Sequence, residues 1–228
     1  MTMKAYAVFL SKAACFAVIV TLLAGVPADS RAGSETASAD RFAGTDVGDV
    51  MRVRGNVAGL FQSLPRTLTK GNDVRFLETI LTGTDSRVEI VLMDDSHLSI
   101  GDDAELTIDE MIYQPGKKGS GVLTLTKGVF RMVSGKINKQ DGGTLILRTP
   151  IATIGVRGTD FWGHQEKNKL TMALIDHGSI EITGADGVTV VLDKPLQSVV
   201  LERGQPTPVT PSLLTPEQLA AAANSVKY

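Results

Sequence analysis

The 228-residue sequence holds one cysteine, one tryptophan and few aromatic residues, 5% of the chain. Each shortage removes a class of chemistry. The cysteine, Cys15, lies near the start of an apolar run close to the N-terminus, whereas a lipid-carrying cysteine would follow such a run. Cleavage behind the run would leave no disulfide, no thiolate nucleophile and no thiolate metal site. The scarcity of aromatics leaves little to stack against a sugar ring. Charge of one sign is missing too: 23 Lys and Arg face 25 Asp and Glu, scattered along the chain, for a net charge of −2. Nucleic-acid binding needs a basic footprint that this composition does not supply. No Gly-x-x-x-x-Gly-Lys phosphate loop, Gly-x-Gly-x-x-Gly turn or Gly-x-Ser-x-Gly elbow occurs.

A long hydrophobic run is also absent. Lys4 and Lys12 precede the apolar segment Ala13 to Val26, 14 residues that give way to Pro27 and small residues. A basic, apolar, small-residue order is that of a secretory signal peptide. The run falls short of the ~20 residues a membrane-spanning helix requires, so an uncleaved anchor is the competing reading. Residues 1–32 are therefore expected to be a signal peptide, cleaved after Ala28 or, preferably, Ala32. The mature chain would carry 20 basic and 24 acidic residues, a net charge of −4. It is expected in the periplasm or outside the cell, with no membrane span after cleavage.

Residues 33–46 (GSETASADRFAGTD) are small, polar and aperiodic, a flexible leader. From Val47 short β-branched runs recur, each closed by Gly, Asn or Asp. Examples are Val50–Val53, Arg87–Met93, His97–Ile100, Val122–Leu125, Val129–Val133 and Thr144–Leu147. Leu170–Ile175, Ser179–Thr183 and Val188–Leu192 follow. Val88, Ile90 and Leu92 alternate with Arg87, Glu89 and Val91, the signature of a half-buried strand. Asp94-Asp95-Ser96, Lys127-Gly128, His177-Gly178 and Asp186-Gly187 supply turn residues that tolerate positive φ. The spacing predicts an all-β domain over residues 47–206, a β-solenoid-like or two-sheet stack. Tyr113–Gly121 and Gly135–Gly143 read as polar loops projecting into solvent.

Residues 207–228 form a Pro-rich connector and a short C-terminal helix. Thr215 can cap that helix, Pro216 suits its first position, and Gln218 completes a capping box. Leu214 and Leu219 are placed as a hydrophobic staple. So short a helix needs docking to persist.

Candidate catalytic and metal groups do not assemble in the sequence. His97, His164 and His177 lie apart in turn-rich regions, without the converging ligands zinc or iron requires. Asp94-Asp95-Ser96-His97 contains triad residue types, yet neighbours on a strand face opposite ways. Asp102-Asp103-Glu105 and Asp109-Glu110 lack the spaced pattern of a calcium loop and read as a solvated acidic edge. The expectation is a non-enzymatic chain with no catalytic residue, cofactor or metal.

The most informative stretch is Thr149 to Phe161. Pro150 suits a strand start. Ile151, Ala152, Ile154 and Val156 place apolar groups on both faces, as in a strand buried on both sides. Arg157 and Asp160 bracket a tight corner and are placed to pair. This stretch resembles the core of the FecR-domain family, approximately Thr-Pro-x-Ala-x-x-x-Val-Arg-Gly-Thr-x-Phe. Here it is carried by Thr149, Pro150, Ala152, Val156, Arg157, Gly158, Thr159 and Phe161. Gly48-Asp49-Val50, Gly55, Gly71-Asn72-Asp73-Val74, Ile80, Thr82 and Ser86 extend the likeness. Asp94-Asp95-Ser96-x-Leu-x-Ile-Gly resembles the family's Asp-Gly-Ser turn, with Asp95 in place of glycine. Gly128-x-Phe-Arg, Gly178-Ser-Ile-Glu-Ile and Gly204-Gln205 look like its later strands and its close.

The resemblance implies these residues serve as scaffold, with Arg157 the candidate for touching a partner. Founding members of the family are sigma-factor regulators. In them a cytoplasmic segment and a membrane helix precede the periplasmic domain. A cleavable signal in place of those parts would leave this chain unable to reach a sigma factor. The implied function is a sensing or structural module binding an envelope protein or a cell-surface glycan. Oligomeric state is left open. The alternatives are a polysaccharide-processing enzyme on a β-solenoid and an accessory regulator of an envelope signalling protein.

Overall fold

The computed structural model describes residues 44–228. The signal-peptide reading of residues 1–32, Cys15 included, and the leader up to residue 43 lie outside the described residues. Seventeen strands occur among those described. In chain order they begin with β1 (Asp46–Arg54), β2 (Val57–Phe61), β3 (Leu64–Thr67), β4 (Asp73–Arg75), β5 (Thr79–Thr82) and β6 (Arg87–Leu92). Next come β7 (His97–Ile100), β8 (Glu105–Ile112), β9 (Ser120–Val133), β10 (Thr144–Arg148), β11 (Ala152–Arg157) and β12 (Asp160–Gln165). The last are β13 (Lys169–Leu174), β14 (Ser179–Gly184), β15 (Thr189–Leu192), β16 (Gln197–Glu202) and β17 (Ser212–Leu213). The helix α1 (Pro216–Ser225) closes the chain.

Pairing sorts the strands into two sheets that share one member. Sheet A runs β4-β1-β6-β7-β9-β12-β13-β16-β17, antiparallel throughout. Sheet B runs β3-β2-β5-β8-β9-β10-β11-β14-β15, with the β9–β10 pair parallel. The shared strand β9 is 14 residues long. Its first half pairs in sheet B, and Gly128 to Val133 pair in sheet A. The change of sheet falls at Gly128, whose φ is +92°, and a Cβ there would collide with Ala104. After β9 the chain lays hairpins alternately in B, A, B and A. It is an all-β stack of two sheets, wound like a short solenoid.

Period two decides which side chains meet between the sheets. Val88, Ile90 and Leu92 are buried while Arg87, Glu89 and Val91 are half-buried. Strands from both sheets contribute to one continuous apolar core, the main stabilising term of the fold. Near its centre Phe130 and Phe161 meet edge-to-face, 5.5 Å apart at 78°, a favoured aromatic geometry. The buried carboxylate of Glu78 is not left alone. Arg66 donates to it twice, at 2.7 and 2.8 Å, and the Arg75 N–H donates at 3.0 Å.

Two expectations need correction. Val122–Leu125 and Val129–Val133 are not two strands separated by a turn at Lys127-Gly128 but one strand, β9. Each half has long-range neighbours on both sides, so the glycine bends the strand instead of reversing it. The polar segments Tyr113–Gly121 and Gly135–Gly143 do not simply project; they pack on each other. Gln140 Nε2 donates to Gln114 O at 2.8 Å, and the Thr144 N–H donates to Gly119 O at 3.1 Å. Ile137, the apolar residue of the second segment, is fully buried.

Candidate binding site

The Thr149–Phe161 stretch starts directly after β10 and spans all of β11 and the corner into β12. Thr149 Oγ1 accepts the N–H groups of Ile151 and Ala152 at 3.2 and 3.0 Å, closing a local turn. Pro150 stands in that turn, just ahead of the strand. Along β11 Ala152, Ile154 and Val156 are buried, while Thr153 and Arg157 are exposed and Gly155 is half-buried. The strand therefore buries one face, not both: its other face lies on the outer surface of sheet B, where Thr153 and Arg157 are exposed. Gly158, at φ +61°, carries the chain from sheet B to sheet A. A Cβ on Gly178 would collide with its carbonyl oxygen, so the two glycines hold the crossing close. The Thr159 N–H donates to Ser134 Oγ at 2.7 Å, and its own hydroxyl is buried without a partner.

Arg157 and Asp160 do not pair. The corner between them sends Arg157 to the outer face of sheet B, where it meets Glu181 at 3.0 Å. Asp160 enters sheet A and accepts Arg131 Nε and Nη2 at 2.9 and 2.6 Å. That bidentate bond raises the Arg131 guanidinium above its ordinary value against the opposing effect of burial. The Arg157–Glu181 pair is different in kind. Its side chains are 70% and 41% exposed, so it holds little energy and both partners remain accessible.

Around Arg157 the outer face of sheet B is regular. Cross-strand register aligns Thr79, Thr107, Thr124, Arg148, Thr153, Thr183 and Thr189 in one row across seven strands. The hydroxyls of Thr79 and Thr107 lie 2.8 Å apart, as do those of Thr183 and Thr189. A parallel row holds Val122, Ile146, Gly155, Glu181 and Val191. Beside it a shallow hollow of about 480 Å³ is lined by Asn138, Thr144, Ile146, Gly155, Arg157 and Glu181. Asn138 Nδ2 is buried there without a hydrogen-bond partner.

Sheet A presents the opposite situation, because the C-terminal segment straps over its outer face. The helix begins as the sequence predicts: Gln218 N–H donates to Thr215 Oγ1 and Thr215 N–H donates to Gln218 Oε1. Ala222 and Val226 then pack on Val129, Trp162 and Ala173 as a second small apolar cluster. Trp162 Nε1 donates to Ser225 Oγ at 3.0 Å. Farther along, the Tyr228 hydroxyl donates to Arg52 O at 3.2 Å, and the Arg52 guanidinium lies 4.9 Å from the ring centre. Burial pushes the Tyr228 phenol well above its ordinary value. A groove of about 580 Å³ runs along the strap, lined by Lys127, Trp162, His164, Glu166, Asp102 and Gln218 among others. Glu166 is held below its ordinary value by the Lys169 ammonium 2.7 Å away.

The three histidines stay apart. His97 stands 4.0 Å from Glu89, His164 lines the groove, and His177 Nδ1 lies 3.0 Å from Asp176. No group of three or more His, Cys, Asp or Glu among the described residues is placed to hold a metal ion. The Asp94-Asp95-Ser96-His97 turn has a different task. Asp94, fully buried, accepts the Ser96 N–H and hydroxyl at 3.0 and 2.9 Å and the Ile137 N–H at 3.2 Å. Ser96 Oγ accepts the Gly135 N–H at 2.8 Å. The turn thus latches the second polar segment onto the core, while His97 is exposed. Asp95, where the family pattern has glycine, adopts φ +62°. Asp102 meets Arg87 at 3.2 Å, Asp103 occupies a positive-φ turn, and Glu110 bonds Ser120.

The latch was missed by sequence reasoning, although an Asp-x-Ser turn preceding an apolar residue in a polar loop is a usable signal. With this geometry in hand, comparison with known proteins is decisive on one point. The family model described as FecR protein matches residues 78–181. The chain carries a FecR domain. The match runs from the end of the Arg75–Glu78 turn through the first half of β14 and includes the whole Thr149–Phe161 stretch. No curated protein matches the sequence. Among solved structures, the chain is similar to a putative anti-sigma factor from Parabacteroides distasonis ATCC 8503. One crystal structure of that protein gives a TM-score of 0.51 at 13% identity, covering 64% of each chain. A second gives 0.49 at 14% identity, covering 63% of each. The first shares the fold of the FecR domain, over less than two thirds of that protein's length. No helix among the described residues is long and apolar enough to cross a membrane.

Proposed function

We propose that this FecR domain is a non-enzymatic binding module of the bacterial envelope, sensing or structural in role. In this reading residues 1–32 direct export and are removed after Ala32. The β domain, bounded at residues 47–206, then works in the periplasm or outside the cell. The outer face of sheet B contacts an envelope protein or a cell-surface glycan. The observation that carries the reading is the contrast in cover: the strap occupies the outer face of sheet A, while that of sheet B carries the threonine row, Arg148, Arg157 and the adjoining hollow. Regular, with a hydroxyl-rich row beside a mostly apolar one and side chains already ordered by cross-strand contacts, it offers many weak contacts at low entropic cost to an extended polymer.

The test uses the protein recovered from cells, with Thr153→Glu and Arg157→Ala variants. Wild type is expected to retain a discrete component of envelope extracts, protein or glycan, that both variants lose. Retention of the same component by all three would remove the sheet B face from the reading. Release of reducing ends from envelope polysaccharide would replace the reading with the enzymatic alternative.

A further inference from the structure

The two sheets have four outer edges, and three are protected in ways that discourage strand addition. In sheet A, β4 is three residues long opposite a register shift in β1, and β17 is two residues long directly after Pro211. In sheet B, β3 contains Pro65, which has no N–H to offer. The fourth edge is β15, Thr189-Val190-Val191-Leu192. It has no proline, no charged residue and an unbroken register with β14. No described strand pairs with its outer side.

The hydrogen-bond parity of the β14–β15 hairpin identifies which main-chain groups that edge presents. The Gly184 N–H donates to Val188 O at 3.0 Å, and Ile182 stands opposite Val190. In an antiparallel ladder bonded pairs recur every second residue. The Val188 carbonyl and both main-chain groups of Val190 and Leu192 therefore bond inward to β14, and the N–H and C=O groups of Thr189 and Val191 point away from it. Both residues are exposed, Val191 at 44%.

We propose that β15 is a self-association edge, which pairs antiparallel with β15 of a second copy about a twofold axis at Val190. The pattern is self-complementary. Thr189 meets Val191 of the second copy, and Val191 meets its Thr189, so all four outward amide groups of each edge segment find partners. The same register brings Lys194 toward Asp186 of the second copy, and Asp186 toward its Lys194. Both side chains belong to exposed residues, and opposite charges at such a rim favour this register over its slips. Asp186 is a dependable anion, since the N–H groups of Thr207 and Val188 donate to its carboxylate. The interface is closed and isologous. It joins the two sheet B faces into one continuous surface, with the threonine rows of both copies side by side. A contact of this size is small for a stable dimer, so association is concentration-dependent.

Sedimentation velocity on the protein recovered from cells, up to about 200 µM, reads the proposal. The weight-average mass is expected to climb toward twice the monomer mass. Val191→Pro removes an outward N–H without breaking a β14–β15 bond, and is expected to abolish the climb with far-UV circular dichroism unchanged. Lys194→Glu is expected to weaken association about tenfold, corresponding to about 1.4 kcal/mol. The double variant Thr189→Cys/Val191→Cys is expected to give a covalent dimer under mild oxidation, because facing residues of such a pair lie within disulfide reach. A wild type that stays monomeric, a dimer that Val191→Pro leaves intact, or a double-cysteine variant that stays uncrosslinked overturns the proposal. Since none of these readouts involves an envelope partner, failure here leaves the binding reading standing, and the reverse also holds.

Discussion

The outer faces of the two sheets start from the same local rules and end differently. On sheet A the row Arg52, Glu89, Ser99, Arg131, Trp162, Ala173 and Ser198 crosses seven strands. On sheet B the row from Thr79 to Thr189 does the same. The first mixes charge with a large indole and small residues, and the C-terminal strap closes over it. The second is almost all β-branched hydroxyl, and Thr153 on it is exposed. An exposed tryptophan face is a liability that a sequence must hide. A threonine face is stable in water without a lid. Cover therefore follows chemistry: the strap sits where apolar surface needs it.

The comparison predicts an unequal response to truncation. Trp162→Ala, on the covered face, is expected to destabilise the domain by about 3 kcal/mol, because it empties a packed site under α1. Thr153→Ala, on the bare face, is expected to stay within about 0.5 kcal/mol. Urea unfolding followed by far-UV circular dichroism measures both. Equal effects would break the contrast between the faces.

Two smaller changes ask how the strap is held. Thr215→Ala removes the capping hydroxyl and is expected to cost about 1 kcal/mol. Ser225→Ala leaves the Trp162 indole N–H without its acceptor and is expected to cost a similar ~1 kcal/mol. Trp162 is the only tryptophan in the chain, so its emission reports directly on the strap. A red shift is expected in both variants and not in Thr153→Ala.

The smallest expected effect is with pH, and it belongs to sheet B. Asp186 in the β14–β15 turn is held below its ordinary 3.8, first by the Thr207 N–H and then by the Thr207 hydroxyl. A carboxyl depressed in the folded state contributes stability that is present above its unfolded value. That contribution is lost as pH falls through the folded one. Melting temperature measured from pH 5 down to pH 3 is expected to fall slightly less for Asp186→Asn than for wild type. Parallel curves would show that Thr207 contributes nothing through this contact.

Much of the fold was legible because its signals are local. The alternation Val88, Ile90, Leu92 foretold which face of β6 is buried. Thr215, Pro216 and Gln218 foretold the helix start, and Asp95 took the positive φ its turn requires. The short strands β3, β4 and β17 carried no run long enough to announce themselves. The candidate site was less legible. Arg157 and Asp160 are neighbours in sequence, yet the strand corner separates them by face. Their true partners, Glu181 and Arg131, are 24 and 29 residues away.

What the sequence determined by itself was the all-β texture, the sites of its tight turns, the cap of α1 and the FecR core motif. Each depends on steric or hydrogen-bonding rules that act within a few residues. The tertiary structure alone decided that β9 is one strand serving two sheets and that β11 has an open face. It also decided that Asp94 latches a distant loop and that β15 ends a sheet unprotected. Those outcomes depend on which distant segments compete for the same backbone edges and the same core volume, and no local pattern records that competition.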